Sequence, residues 1–414
     1  MNKNISPFAR WSRAAGLILM VALANSCNKK IPQATPIVYP PVNNSTTTIG
    51  AAIASDTSYS FFATAAARVG AMALLSDSSK VFTVFVPDNN AFRISGIPSV
   101  DVINALPLAT VGAIVDYHII PGEQFLSGNL GTTFPNIQLP SYLSIGTLPG
   151  TPISLNLTTF LSIRTGGFWD NNIPVTLPDQ KFENGVIHQV GAVVNPPSQL
   201  LKQALYSNPN LTYFKAAVAR ADSGQVGLNR IDSLLGYAVT NMTVLAPDDN
   251  AFRTLIFGLA FQAYLSQVPK PYTHNDTLNA TGFGNNAVAA GPAFLSTSYV
   301  TSGQVQGILA YHLLATPNPV SGAYQPNIRA FSVNFPATPT LYTTMVNSVY
   351  PTHPGVMAQA TFAGPIVTNL QFTGLGTFPS GGAPFSGPPA VATSLDNHCV
   401  NGVFYIINQV LLPQ

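Results

Sequence analysis

An eleven-residue segment occurs twice in this chain of 414 residues. Residues 83–93 read TVFVPDNNAFR and residues 243–253 read TVLAPDDNAFR, so eight of the eleven positions are identical. The offset of 160 residues is too long for a solenoid repeat and fits a duplicated domain. The chain is therefore expected to contain two copies of one module, and its function should be sought in the module.

Each copy of this segment has the pattern of a buried strand followed by the start of a helix. The β-branched and aromatic run before Pro87 favours a strand, which Pro87 ends. Asp88 can then cap a short helix that places Phe92 in the core. The second copy repeats these three positions as Pro247, Asp248 and Phe252. The pattern therefore predicts a structural role for these residues and no catalytic role.

Two further segments recur downstream of each copy. A Tyr-His pair stands where a helix pattern gives way to a strand pattern, as Tyr117-His118 and Tyr311-His312. An Asn-Gly turn then lies between apolar runs, a strong hairpin signal. Its positions are Asn184, Gly185 and His188 in the first copy, and Asn401, Gly402 and Tyr405 in the second. The histidines could bind a partner, or they could pair with backbone groups inside the join, where an unpaired ring nitrogen costs about 1–3 kcal/mol.

The spacing of the repeated segments locates insertions in the second copy. The offset grows from 160 residues to 194 at the Tyr-His pair and to 217 at the Asn-Gly turn. We expect the additional residues near 267–300 and 374–393, where the sequence is polar and rich in Gly or Pro. Long loops on a rigid scaffold often carry module-specific binding. The second module is therefore expected to do the recognising.

The N-terminal segment has the pattern of an export signal. Three basic residues precede an apolar run over 14–24, which is shorter than the roughly 20 residues that span a bilayer. Small residues before Cys27 predict a bacterial lipoprotein signal over 1–27 in which Cys27 is acylated. The alternatives are an ordinary secretory signal or a retained membrane helix. Residues 28–47 are Pro-rich and are expected to form a tether.

Composition and motif spacing exclude several classes of function. Only 8% of residues are charged and the net charge is +2, which argues against binding nucleic acid. The sequence contains no metal-binding spacing, no cofactor motif and no nucleophile–base signature. We therefore expect that the protein binds no metal or cofactor and is not an enzyme. Residues 282–287, GFGNNA, lack the strand that a dinucleotide fingerprint requires. Cys399 beside His398 is expected to be a passive thiol, since neighbouring strand residues face opposite sides.

Taken together and in order, the three repeated segments resemble the fasciclin-like domain family, often called FAS1. The resemblance covers about residues 48–414 and implies an α+β fold of two tandem domains, 48–198 and 199–414. Each would be a wedge of two β-sheets with helices packed along one side. The sequence departs from the family pattern where Tyr405 replaces the histidine of the last segment. The aspartate of that segment is also replaced, by Gly191 and Asn408.

The resemblance and the predicted anchor together imply an adhesion or interaction protein of the bacterial cell envelope. The lipid would hold it in the outer membrane, facing the periplasm or the cell surface, and its partner would be a protein, glycan or matrix component. By the resemblance, Tyr117, His118, Tyr311 and His312 are candidates for an interaction surface. The alternative function is a carrier of an apolar small molecule, suggested by the 46% hydrophobic content and the aromatic-rich insertions.

Overall fold

The structure is a computed structural model that describes residues 45–147, 150–164, 167–375 and 389–413. The predicted signal segment, Cys27 and residues 28–44 of the expected tether lie outside this part of the chain. The chain divides into two compact units between Pro197 and Ser198. Both units are α+β. No helix within the described ranges is long and apolar enough to cross a membrane.

The first unit contains six α-helices among the described residues. They are α1 (Ile49–Ser55), α2 (Ser60–Arg68), α3 (Ala71–Leu75), α4 (Asn89–Ile94), α5 (Val100–Ala105) and α6 (Leu108–Tyr117), with 3-10 turns at Thr57–Tyr59 and Ser127–Asn129. The apolar stretch over 61–75 forms two helices because Gly70 adopts a left-handed conformation with φ of 77°. Thr47, expected in the tether, accepts a hydrogen bond from Glu183 N at 2.9 Å and so belongs to this unit.

One seven-stranded sheet forms the rest of the first unit. Its strands are β1 (Phe82–Pro87), β2 (Ile119–Pro121), β3 (Ile137–Thr147), β4 (Ser154–Arg164), β5 (Gly167–Asp170), β6 (Ile173–Phe182) and β7 (Gly185–Val190). The strand order is β2-β1-β7-β6-β5-β4-β3, and β1 and β7 are parallel. Val84 and Ile187 face the helices, where Phe62 and Phe92 complete a buried core. Phe85 faces the other way and contacts His188 and Phe168.

The second unit repeats this arrangement with longer helices. They are α7 (Leu201–Ser207), α8 (Thr212–Ala221), α9 (Ile231–Gly236), α10 (Asp249–Leu265), α11 (His274–Ala289) and α12 (Ser302–Tyr311), with 3-10 turns at Gly227–Asn229, Gly291–Ser296, Ser332–Asn334 and Met345–Ser348. The insertion expected as a loop near 267–300 is mostly helical. The additional residues begin before 267, because the 17-residue α10 stands where the first unit has the six-residue α4, and α10 packs against the 16-residue α11.

The main sheet of the second unit has six strands and the same centre. Its strands are β8 (Met242–Pro247), β11 (Thr340–Tyr342), β12 (Val356–Ala363), β13 (Ile366–Thr373), β14 (Ala390–Cys399) and β15 (Gly402–Ile407), and a separate pair is formed by β9 (Thr316–Pro317) and β10 (Tyr324–Gln325). The order is β11-β12-β13-β14-β15-β8, and β15 and β8 are parallel.

The second expected insertion is only partly where the sequence placed it. Residues 376–388 lie outside the described residues, and 390–393 belong to strand β14. Additional chain also lies earlier, in the β9–β10 pair. Phe125 follows His118 by 7 positions, whereas the equivalent Ala330 follows His312 by 18. A single offset between two motifs could not show that the extra residues are divided between two places.

Candidate functional site

The repeated strands lie side by side at the centre of each unit, in the same register. Phe82 pairs with Gly185 in the first unit, and Met242 pairs with Gly402 in the second. A Cβ atom on Gly185 would lie 1.9 Å from the carbonyl oxygen of Phe82. On Gly402 it would lie 2.4 Å from the carbonyl oxygen of Met242, so only glycine permits the approach at either position.

The aspartate after each repeated strand caps a helix, as the sequence predicts. Asp88 Oδ1 accepts a hydrogen bond from Ala91 N at 2.7 Å, and Asp248 Oδ1 accepts one from Ala251 N at the same distance. Pro87 and Pro247 are the last residues of their strands. Phe92 and Phe252 are both buried. These residues position the helices.

The asparagine of each Asn-Gly pair joins three segments of its unit. Asn184 accepts from Ile49 N at 2.8 Å and donates to the carbonyl oxygens of Leu75 and Asp77 at 2.9 and 3.1 Å. The corresponding bonds of Asn401 involve Leu201 N at 2.8 Å, Leu235 O at 3.0 Å and Tyr237 O at 3.0 Å. Both side chains are fully buried.

The histidine of each Tyr-His pair connects a helix to the closing segment of its unit. His118 Nδ1 donates to Ile114 O at 2.7 Å, and its Nε2 accepts from Val194 N at 3.1 Å. His312 makes the same two bonds, to Ile308 O at 2.8 Å and from Leu411 N at 3.0 Å. The bonds require a neutral ring with its proton on Nδ1. Burial lowers the pKa of both histidines to about 4.

The tyrosines of these pairs are also internal. Tyr117 Oη donates to Thr158 O at 3.1 Å. Tyr311 Oη donates to Gly355 O at 2.6 Å and accepts from Leu375 N at 3.2 Å. Burial raises the pKa of Tyr311 to about 12.

This burial corrects the expectation that the Tyr-His pairs form an interaction surface. The exposed fraction of Tyr117, His118, Tyr311 and His312 does not exceed 1%. A partner could not reach these side chains without opening the unit. The structure favours the other interpretation, in which the histidines satisfy backbone groups at the join.

The replacement of His188 by Tyr405 preserves a hydrogen bond. His188 Nε2 donates to Phe125 O at 2.9 Å, and Tyr405 Oη donates to the equivalent Ala330 O at 2.7 Å. Two aspartates that the sequence did not single out complete these contacts. Asp179 N donates to His188 Nδ1 at 3.1 Å, and Asp396 Oδ1 lies 3.0 Å from Tyr405 Oη.

Those two aspartates share a left-handed backbone conformation, and each accepts hydrogen bonds from a serine of its own unit. Asp179 and Asp396 have positive φ angles of 61° and 49°, which a short polar side chain tolerates. Their carboxylates accept from the backbone and hydroxyl of Ser127 and Ser332, respectively. The equivalence, 217 residues apart, is a signal that aligning the two halves of the chain could have revealed.

Cys399 and His398 do not form a reactive pair. Cys399 is buried, and burial raises the pKa of its thiol to about 12. His398 Nε2 instead lies 3.0 Å from Nη1 of Arg329, a buried residue whose guanidinium also donates to Val400 O at 3.0 Å. The guanidinium thus holds the turn before β15, and burial, which outweighs the opposing effect of Arg329, keeps the thiol un-ionised at neutral pH.

The aromatic residues of the α10–α11 region pack against one another. The ring of Phe283 lies 6.2 Å from that of Tyr264 and 5.3 Å from that of Tyr299. The sequence GFGNNA falls inside α11, where Gly284 allows close contact with Phe257. A Cβ on Gly284 would lie 2.7 Å from that ring, so this glycine serves helix packing. Packing of this kind explains the presence of Tyr264 and Phe283, two of the aromatic residues that suggested a carrier.

Comparisons with known proteins identify the family of the first unit. The family model for the Fasciclin domain matches residues 57–196. No curated protein matches the chain significantly. Among solved structures, a FAS1 domain pair from the insect cell adhesion molecule fasciclin I is 14% identical, covering 85% of this chain and 96% of that chain with a TM-score of 0.29.

The second unit repeats the contacts that characterise the matched region. The second unit has the same parallel strand pair, the same capping aspartate and the same asparagine and histidine bonds as the first. These contacts are the ones that the repeated segments create in the matched region. The match to the Fasciclin domain therefore covers residues 57–196, and the second unit, which begins at Ser198, repeats the architecture of the matched region.

Proposed function

We propose that this protein is a lipid-anchored interaction or adhesion protein of the bacterial cell envelope, located in the outer membrane. Fasciclin domains occur often in adhesion and interaction proteins. The observation that carries the proposal is the burial of the repeated side chains in both modules. Since these side chains hold backbone segments together, partner recognition is left to surfaces that differ between the modules.

The α10–α11 hairpin is the surface that we assign to recognition. Among the described residues of the first module it has no counterpart of similar length, since α4 has six residues. Leu278 on α11 is 54% exposed. Between Arg253 and Arg329 the only charged residues are Lys270 and Asp276. A partner that binds here would therefore be recognised mainly through apolar and uncharged polar contacts.

In-cell photo-cross-linking tests the recognition surface directly. A photoreactive residue at position 278 of the full chain should give a defined adduct in the native envelope. The matched control is position 94 in the first module, since Ile94 is 66% exposed and lies on α4, the counterpart of α10. Absence of an adduct at position 278, together with normal cell attachment in a deletion strain, would contradict the proposal.

The anchor requires a separate test. Radiolabelled fatty acid should label the wild-type chain and not the Cys27→Ser variant, which should leave the membrane fraction. Protease treatment of intact cells would then place the protein on the cell surface or on the periplasmic face. Equal labelling of both proteins would disprove the assignment of Cys27.

A further inference from the structure

Tyr299 presents a half-exposed aromatic ring whose orientation is fixed by two other rings. Its exposed fraction is 51%. The ring is parallel to that of Phe294, with centroids 6.1 Å apart and an interplanar angle of 5°. The ring of Phe283 approaches at 5.3 Å and 75°. These stacked and edge contacts hold one orientation of the exposed side chain before any ligand arrives.

The backbone on both sides of Tyr299 is fixed as well. Arg220 on α8 donates from Nε and Nη2 to Val300 O at 3.2 and 2.6 Å, and from Nη2 to Thr297 O at 3.4 Å. Thr297 Oγ1 also donates to Phe294 O at 2.7 Å. Nη1 of Arg220 makes no hydrogen bond among the described residues. We call these hydrogen bonds from Arg220 to the backbone the arginine clamp. The guanidinium of the clamp therefore retains N–H donors for which a ligand oxygen could be the acceptor.

The first module has the same clamp and a different residue on it. Arg68 donates to Ile103 O and to Leu106 O, the positions equivalent to Thr297 and Val300 at the offset of 194. At that offset the counterpart of Tyr299 is Ala105, an exposed alanine. The clamp thus needs no aromatic side chain at this position. The tyrosine is an addition specific to the second module.

The chemistry of this site matches a sugar ring. A half-exposed aromatic ring with a fixed orientation can contact the C–H face of a pyranose, and guanidinium N–H groups can donate to its oxygens. Of the two charged side chains between Arg253 and Arg329, Asp276 is engaged with Thr273 in a helix cap. We propose that Tyr299, with Arg220, forms a glycan-binding site that stacks a pyranose ring. The inference rests on the proposed function and names the class of partner.

Binding of the full chain to immobilised polysaccharides tests this site. The panel should contain uncharged and uronic-acid-containing chains. Wild type should bind at least one uncharged polysaccharide, Tyr299→Ala should bind it roughly tenfold more weakly, and Tyr299→Phe should bind within about threefold of wild type. Tyr237→Ala is the matched control, because Tyr237 is a 46% exposed tyrosine of the same module, and it should bind like wild type.

Folding and alternative partners are separated by the same variants. Tyr299→Ala should remain folded, with a melting temperature lowered by no more than roughly 10 °C, because it loses only the ring contacts with Phe283 and Phe294. No binding to any polysaccharide, or equal binding by wild type and Tyr299→Ala, would overturn the proposal. So would binding confined to uronic-acid chains and lost in high salt, which indicates diffuse electrostatic attachment. Capture of a protein at position 278 without any glycan binding would refute the glycan site and leave the interaction role intact.

Discussion

Acidification should weaken the first module through His118, whose neutral ring is required by its two hydrogen bonds. The ring donates to Ile114 O and accepts from Val194 N, so a proton on Nε2 would remove the second bond. The pKa of His118 falls from 6.5 in the unfolded chain to about 4 in the folded module. Because the folded pKa is the lower one, the stabilisation is complete above pH 6.5 and is lost as the pH falls to about 4.

The size of the effect follows from the same two pKa values. A difference of about 2.5 pKa units at roughly 1.4 kcal/mol per unit corresponds to about 3 kcal/mol of unfolding free energy by pH 4. Asp170 acts in the opposite direction. Burial raises its pKa from 3.8 to about 7, so its stabilisation is complete below pH 3.8 and is lost as the pH rises to about 7. The two contributions partly cancel in the wild-type protein.

Comparison with a variant isolates the histidine. Trp169, a buried residue of the first module, is the only tryptophan of the sequence outside the predicted signal segment, so its fluorescence in the mature protein reports denaturant unfolding of that module. Between pH 7 and pH 4 the free energy of unfolding should fall by about 3 kcal/mol more with His118 than in His118→Gln. His312→Gln, in the second module, is the control and should leave this pH dependence unchanged. Equal pH dependence with His118 and with Gln would refute the reasoning.

Four further substitutions test features of the fold by thermal or denaturant unfolding. Asp170→Asn should remove a loss of roughly 4 kcal/mol between pH 4 and pH 7, and a variant with wild-type pH dependence would show that the carboxyl is ionised when buried. Gly185→Ala should destabilise the first module by about 2 kcal/mol or more, since its φ is 142° and its Cβ would meet a carbonyl oxygen. Gly284→Val should destabilise the second module, whereas Gly282→Ala, with nothing within 4 Å, should stabilise α11 by up to about 1 kcal/mol. Equal melting temperatures for both would contradict the helix-packing role of Gly284.

The framework of each module could be predicted from the sequence because it depends on local signals. Proline after a β-branched run, aspartate before a short helix and Asn-Gly between apolar segments each specify backbone geometry within a few residues. Asp88 and Asp248 cap helices at identical distances of 2.7 Å. Local rules of this kind hold in any protein with the same residues at these positions.

Long-range contacts are the part that local patterns could not predict. The partners of His118 are Ile114 in its own helix and Val194, which lies 76 residues away. Nothing in a Tyr-His dipeptide indicates whether the ring faces solvent or a distant backbone amide. The α10–α11 hairpin was missed for a related reason. Its sequence is rich in Gly, Asn and Thr, and helix formation there depends on packing around Ala280, Gly284 and Ala287.

Internal duplication offers a control that a single domain lacks. Where both modules keep the same contact with different residues, as His188 and Tyr405 do, selection on structure is sufficient to explain the position. Where the two modules share the same backbone contacts but expose different side chains, the fold does not explain the difference. Ala105 and Tyr299 stand on equivalent arginine clamps and form such a position. Function specific to the second module should therefore be sought at exposed positions where the two modules share backbone contacts but differ in the side chain. Tyr299 is such a position, and the rings of Phe283 and Phe294 already fix its orientation.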